Sequence, residues 1–210
     1  MSSHDYSVLV GASGWEFPAW EDRLYPEDLP EDWRITYYSN EFSVVLLPLS
    51  RLAEADEEEV ETWVEDTHDS FRFVLEIDQA LSEGVKPRLR QLASKLLAVV
   101  VHCEEVTLPS ELEGLPRVLE KVAAKHCELD LQHGMGHCWD GEGAPCWGDD
   151  IALVCLQAEQ YKDMRKLKEI ITRCEPALQQ GRRLVLLFEG NAPDLEVMRG
   201  ARTIAELLGY

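Results

Sequence analysis

With 210 residues, 45% of them hydrophobic, the chain can bury one substantial core and reads as a single domain over residues 1–210. Twenty Lys and Arg against 40 Asp and Glu give a formal net charge of −20. That balance argues against nucleic acid as a partner, because such affinity comes from cations displacing counterions from phosphates. No apolar run approaches the ~20 residues of a membrane span and Met1 opens no signal peptide, so the expectation is a cytoplasmic protein with no membrane contact and reduced thiols.

Taken in chain order, the first expected strand is Ser7–Ala12, ending in Gly11-Ala12-Ser13-Gly14-Trp15. Trp15, Phe17, Trp20, Tyr25 and Trp33 follow, and packing as an aromatic cluster that pins a long first loop is favoured over stacking on a ligand. The second strand is Ser43–Pro48. Glu54–Asp69 is acidic but carries Val60, Trp63 and Val64, which predicts a helix with a narrow apolar stripe and a solvated acidic face. Further strands are expected at Arg72–Ile77, Leu97–Cys103, His126–Gln132, Ile151–Gln157 and Leu184–Phe188. Cys103, Cys127 and Cys155 lie in or beside such runs and read as small buried hydrophobes. Two helical stripes stand out: Tyr161, Met164, Leu167, Ile170, Ile171 and Cys174, then Leu195, Met198, Ala201, Ile204 and Leu208, with Pro193 suited to a first turn and Gly209 to a stop. The cationic groups Arg88, Arg90 and Lys95, and Arg165, Lys166 and Lys168, read as solvated helix faces.

Strand–helix alternation at this length predicts a parallel α/β sheet. Pattern alone does not separate a barrel from an open doubly wound sheet. One segment breaks the alternation: His133–Asp150, HGMGHCWDGEGAPCWGDD, has no helical period and no apolar run, and is expected to be an irregular loop.

The opening GASGW, with Trp20, Tyr25 and Pro26 at fixed spacing, resembles the signature of the YecE-like family, domain-of-unknown-function family seventy-two. The resemblance implies a TIM-type parallel β/α barrel, here of seven to eight strands and incomplete or irregularly closed, with the 133–150 loop in place of a βα unit. It also implies departures at the mouth. Val45 and Leu47 stand where the family has Glu and Asn, Glu76 replaces a Lys, and Asp130 replaces an Arg beside a retained Glu128. Cys155 and Gln157 take the place of Arg-x-His, and Phe188-Glu189-Gly190-Asn191 that of Phe-Asn-Asn. Two reversals of sign change the pocket by about four charges, enough to exclude the anionic ligand that the family mouth could hold.

In barrels of this kind the site lies at the C-terminal ends of the strands. Ser13, Trp15, Glu76, His102, Asp130, Glu189 and Asn191 are therefore the binding candidates, with Asp78, Glu104, His133 and Gln157 nearby. Carboxylates and imidazole at one mouth suit a divalent cation, and this is the alternative to helix-capping acids that face water. A second alternative is a zinc loop of His133, His137, Cys138 and Cys146, whose spacing matches no common zinc pattern; ordering by Trp139 and Trp147 is favoured. GASGW lacks the GxSxG spacing of a nucleophile elbow, and no Walker loop or GxGxxG is present. The expectation is a binding or interaction protein without a cofactor and with a possible protein partner. The alternative is an enzyme with an acidic, metal-assisted site for a small neutral or cationic substrate.

Overall fold

The computed structural model describes residues 7–77, 81–101, 145, 147, 150–157 and 163–210, and the backbone alone of 117–119 and 135–137. The chain opens with β1 (Val8–Ala12), whose five residues are all buried. A long loop with 3₁₀ turns at Pro18–Trp20 and Glu31–Trp33 leads to α1 (Arg34–Glu41). There follow β2 (Val44–Pro48), α2 (Leu49–Glu54), α3 (Glu57–Glu65), β3 (Arg72–Ile77), α4 (Lys86–Leu92) and β4 (Leu96–Val101). Short strands β5 (Arg117–Leu119) and β6 (Met135–His137) precede β7 (Ile151–Gln157), α5 (Met164–Leu178), β8 (Arg183–Glu189) and α6 (Leu195–Leu208).

The strands join in the order β6-β5-β4-β3-β2-β1-β8-β7, and each pair in that order is parallel. Six strands of five to seven residues, β1 to β4 with β7 and β8, make a half-barrel sheet. This corrects the expected seven to eight full strands. Among the described residues the stretch between β4 and β7 adds two three-residue strands, β5 and β6, and β6 and β7 are edges, so the sheet is open. The physical reason is visible in the sequence: the glycine-rich segment supplies no apolar run that could be buried on both faces. Even so, β6 falls inside 133–150, where no strand was expected. The expected strand His126–Gln132 lies outside the described residues.

Side-chain alternation along each strand divides the core into two layers. Val10, Ala12, Val45, Leu47, Phe73, Leu75, Val154, Leu186 and Phe188 pack against Leu89, Leu167, Ile171, Leu195 and Met198 of the helices. The opposite face carries Leu9, Val44, Leu46, Val74, Val100, Leu153, Val185 and Leu187, with no helical residue among them, and is the inner face of the half-barrel. Val45 and Leu47 are thus on the helix side. The positions of β2 that face inward are Val44, Leu46 and Pro48.

Helix ends follow local chemistry. Asp56, Asp163 and Asp194 accept backbone N–H groups in the first turns of α3, α5 and α6, and Gly209 (φ 89°) closes α6. Pro193 precedes the Asp194 cap rather than occupying the first turn. Two expectations need correction. Trp33 is 56% exposed instead of joining the aromatic cluster. Lys95 is buried, its ammonium donating to Thr67 O (2.9 Å), Thr67 Oγ1 (3.1 Å) and His68 O (2.7 Å), so it ties β4 to the turn after α3. No helix among the described residues is long and apolar enough to cross a membrane.

Candidate functional site

The inner face ends, at the C-terminal side of the strands, in polar residues. Continuing the alternation of Val74, Cys155 and Leu187 places Glu76, Gln157 and Glu189 on that face, at the tips of β3, β7 and β8. The Gln157 amide donates to the Glu189 carboxylate across adjacent strands. Ser13 follows β1 beside them, its N–H donating to Phe188 O at 3.0 Å. Gly190 (φ 124°) then turns the chain, and Asn191 is exposed just beyond. Ser13, Gln157, Glu189 and Asn191 therefore gather on three neighbouring strands. Glu76 stands apart from Glu189, with β2 and β1 between them, roughly 14 Å measured along the sheet at the usual strand spacing. His102, Asp130, His133, Cys138 and Cys146 lie outside the described residues, as do Asp78 and Glu104, and for His137 only the backbone is described.

Trp15 is positioned otherwise. Only 2% exposed, its ring meets Trp63 edge-on at 5.1 Å and Phe73 at 6.5 Å on the helix side of the sheet. Its carbonyl accepts from Tyr25 Oη at 2.5 Å, and Trp20 Nε1 donates to Pro193 O at 2.9 Å, which ties the first loop to the entry of α6. Trp20 also stacks on Tyr38 at 6.0 Å. Trp15, Phe17, Trp20 and Tyr25 thus form the packing cluster that the sequence suggests.

Sequence reasoning missed Arg51. Set on α2, one turn beyond the tip of β2, its guanidinium grips Glu16 with two bonds of 2.9 Å and also bonds Glu59. The same group lies 4.9 Å from the Trp63 ring centre and 5.8 Å from that of Trp15. Burial opposes its charge, but the hydrogen bonds and charges of Glu16 and Glu59 outweigh that and raise its pKa above the ordinary arginine value. The signal was present: Arg51 is a cation directly after a strand and just before the acidic run that opens α3. A cation so held offers little to an incoming anion.

A cavity of about 390 Å³ opens at the other end of the sheet, where Val8, Ser43 and Phe71 mark the starts of β1, β2 and β3. His68 and Asn40 share a hydrogen bond of 2.8 Å at its rim. No motif pointed to it.

Parallel strands with helices on one face and a bare inner face define an α/β protein with an open half-barrel sheet, consistent with the TIM type. The family model described as "Protein of unknown function DUF72" matches residues 9–115, and the chain belongs to that family. A DUF72 family protein from Thermotoga maritima has a similar fold, with a TM-score of 0.64 at 14% identity, over 97% of this chain and 99% of that one. Another, from Enterococcus faecalis, gives 0.61 at 11% identity over 95% of both chains. At these identities the likeness concerns the fold alone. No curated protein matches this chain in sequence.

Proposed function

We propose that this chain is a binding protein of the DUF72 family whose strand-end mouth takes a neutral or cationic group, and that it handles no phosphorylated or carboxylated substrate. The observation that carries this reading is the inward placement of Glu76, Gln157 and Glu189 at the tips of β3, β7 and β8. Carboxylates in that position raise a barrier to anions, since two like charges a few ångströms apart cost several kcal/mol even at an effective dielectric near ~20. Arg51, the cation after β2, is occupied by Glu16 and Glu59. The preferred ligand is the basic group of a partner protein, taken up without a resident cofactor. The competing reading is a weakly held divalent cation, with one strand-end carboxylate as its ligand, that assists hydrolysis or isomerisation.

Calorimetric titration separates the readings. Mg, Mn and Ca, and separately ribose 5-phosphate, are added to the protein and to Glu76→Lys. Weak heat with the metals and none with the phosphate supports an acidic mouth. Tight metal binding that is lost in Glu76→Lys favours the metal-assisted reading. Tight binding of the sugar phosphate to the unaltered protein overturns both.

A further inference from the structure

Trp33 and Tyr37 leave 56% and 37% of their surface exposed. They are four residues apart in continuous helical turns, Glu31–Trp33 running directly into α1, so both rings stand on one face. Asn40 and Glu41, one turn beyond Tyr37, continue that face, and both line the 390 Å³ cavity with His68. An aromatic stripe therefore leads along α1 into a recess at the N-terminal end of the sheet, opposite the strand-end mouth.

The exposed charge around the stripe is mainly acidic. Glu27, Asp28, Glu31 and Asp32 lie within six residues of Trp33, all are exposed, and none of the four is in an ion pair among the described residues. The neighbouring cations are committed elsewhere: Arg23 to Asp194 at 3.9 Å, Arg34 to Glu21 at 3.0 Å and to the Tyr25 ring, and Arg202, which lines the cavity, to Glu206 at 3.2 Å and to Glu41 O at 2.7 Å. Exposed Trp and Tyr are the residues that most often anchor protein interfaces, and their ring faces attract guanidinium and ammonium groups. A collar of exposed carboxylates strengthens that attraction and repels acidic segments and nucleic acid. The cavity beside it is large enough to receive a side chain.

We infer that the α1 face formed by Trp33 and Tyr37, with the adjoining cavity, docks an extended basic segment of a partner protein. An Arg or Lys of that segment lies over the two rings, and the acidic collar pairs with its other cations. This site is distinct from the mouth and does not depend on the reading given to it.

The test measures anisotropy of a fluorescein-labelled (Arg-Ala)₅ peptide at physiological salt, with (Glu-Ala)₅ as the opposite-charge probe. The double variant Trp33→Ala, Tyr37→Ala removes only exposed rings, and its urea midpoint checks that folding is kept. Its affinity for the Arg peptide is expected to fall roughly tenfold or more, as for interface anchors. Glu57→Gln with Glu58→Gln, which removes two exposed charges from α3, is expected to leave binding within about twofold. Equal loss in both variants would show that net charge alone attracts the peptide, and overturns the proposal. So does unchanged binding in the ring variant, which would place the peptide elsewhere, or no binding of the Arg peptide by the unaltered protein.

Discussion

Tyr38 joins Ala12 to Val44: its hydroxyl accepts the Ala12 N–H at 2.8 Å and donates to the Val44 carbonyl at 2.9 Å. A side chain thus completes the seam between β1 and β2, whose strand pairing covers only Gly11 with Val44 and Ala12 with Val45. The seam is tight as well, since a Cβ on Gly11 would fall 1.7 Å from the Val44 carbonyl oxygen. Tyr38→Phe leaves both backbone groups buried without a partner and is expected to cost roughly 1–3 kcal/mol. Gly11→Ala forces the strands apart and is expected to cost roughly 3 kcal/mol or more. Urea denaturation measures both, and an unchanged midpoint for either would remove this seam from the account.

Alkaline pH should loosen the same core. Burial pushes the Tyr38 phenol well above its ordinary pKa, partly offset by its bond with Ala12, and pushes the Cys174 thiol up to about 12. The sign follows: an acid whose folded pKa is raised keeps its proton in the native state, while the unfolded chain loses it first. Their contribution is therefore intact below the unfolded values and is lost as pH rises from about 9 towards 12. Lys95, whose pKa burial lowers, works in the opposite direction and offsets part of the loss. The urea midpoint should fall steadily above pH 9, and Cys174 should resist alkylation until the protein unfolds. Rapid alkylation of native Cys174 would contradict its burial.

Most of this architecture was legible, and the reason is local. β1, β2, β3, β7 and β8 are nearly continuous apolar runs, and α5 and α6 carry one clean stripe each, so period alone places them. What escaped were contacts that period does not encode. Lys95 looks like a helix-face cation, yet its ammonium finds three oxygens of the Thr67–His68 turn, 27 and 28 positions earlier in the chain. Trp33 looks like one more core aromatic, but its place before α1 turns it outward. At the mouth, Glu76 and Glu189 were recognisable as strand-end acids. Their separation by two strands, and the coupling of Glu189 to Gln157, needed the strand order.

Arg51 should matter for the first loop more than for the core. Arg51→Ala loses the two-pronged bond to Glu16, the bond to Glu59 and the stacking on Trp63. With the group still partly in water, the expected cost is about 1–2 kcal/mol. Arg51→Lys should recover less than half of that, because an ammonium cannot make the paired bond. Limited proteolysis should then cut between Ser13 and Trp33 sooner than in the unaltered protein; identical cleavage would show that Trp20 and Tyr25 hold the loop alone.

Removing the Lys95 ammonium should be costly. Lys95→Met keeps the length and apolar stem but removes the ammonium from Thr67 O and Thr67 Oγ1 and leaves His68 O with the Phe71 N–H alone, for an expected loss of roughly 1–3 kcal/mol. Hydrogen exchange should rise at the Thr67–Phe71 turn while β8 stays protected. A uniform rise would mean that Lys95 supports the whole sheet and not this turn.

The claim that the strand-end mouth admits cations and refuses anions is tested most directly by amide NMR with two probes, Mn²⁺ and inorganic phosphate. The expected result is that Mn²⁺ broadens the amides of Ser13, Glu76, Gln157 and Glu189 before those of the acidic face of α3, and that phosphate shifts none of the four. Phosphate-induced shifts at those amides, or Mn²⁺ broadening that spares them, would contradict it.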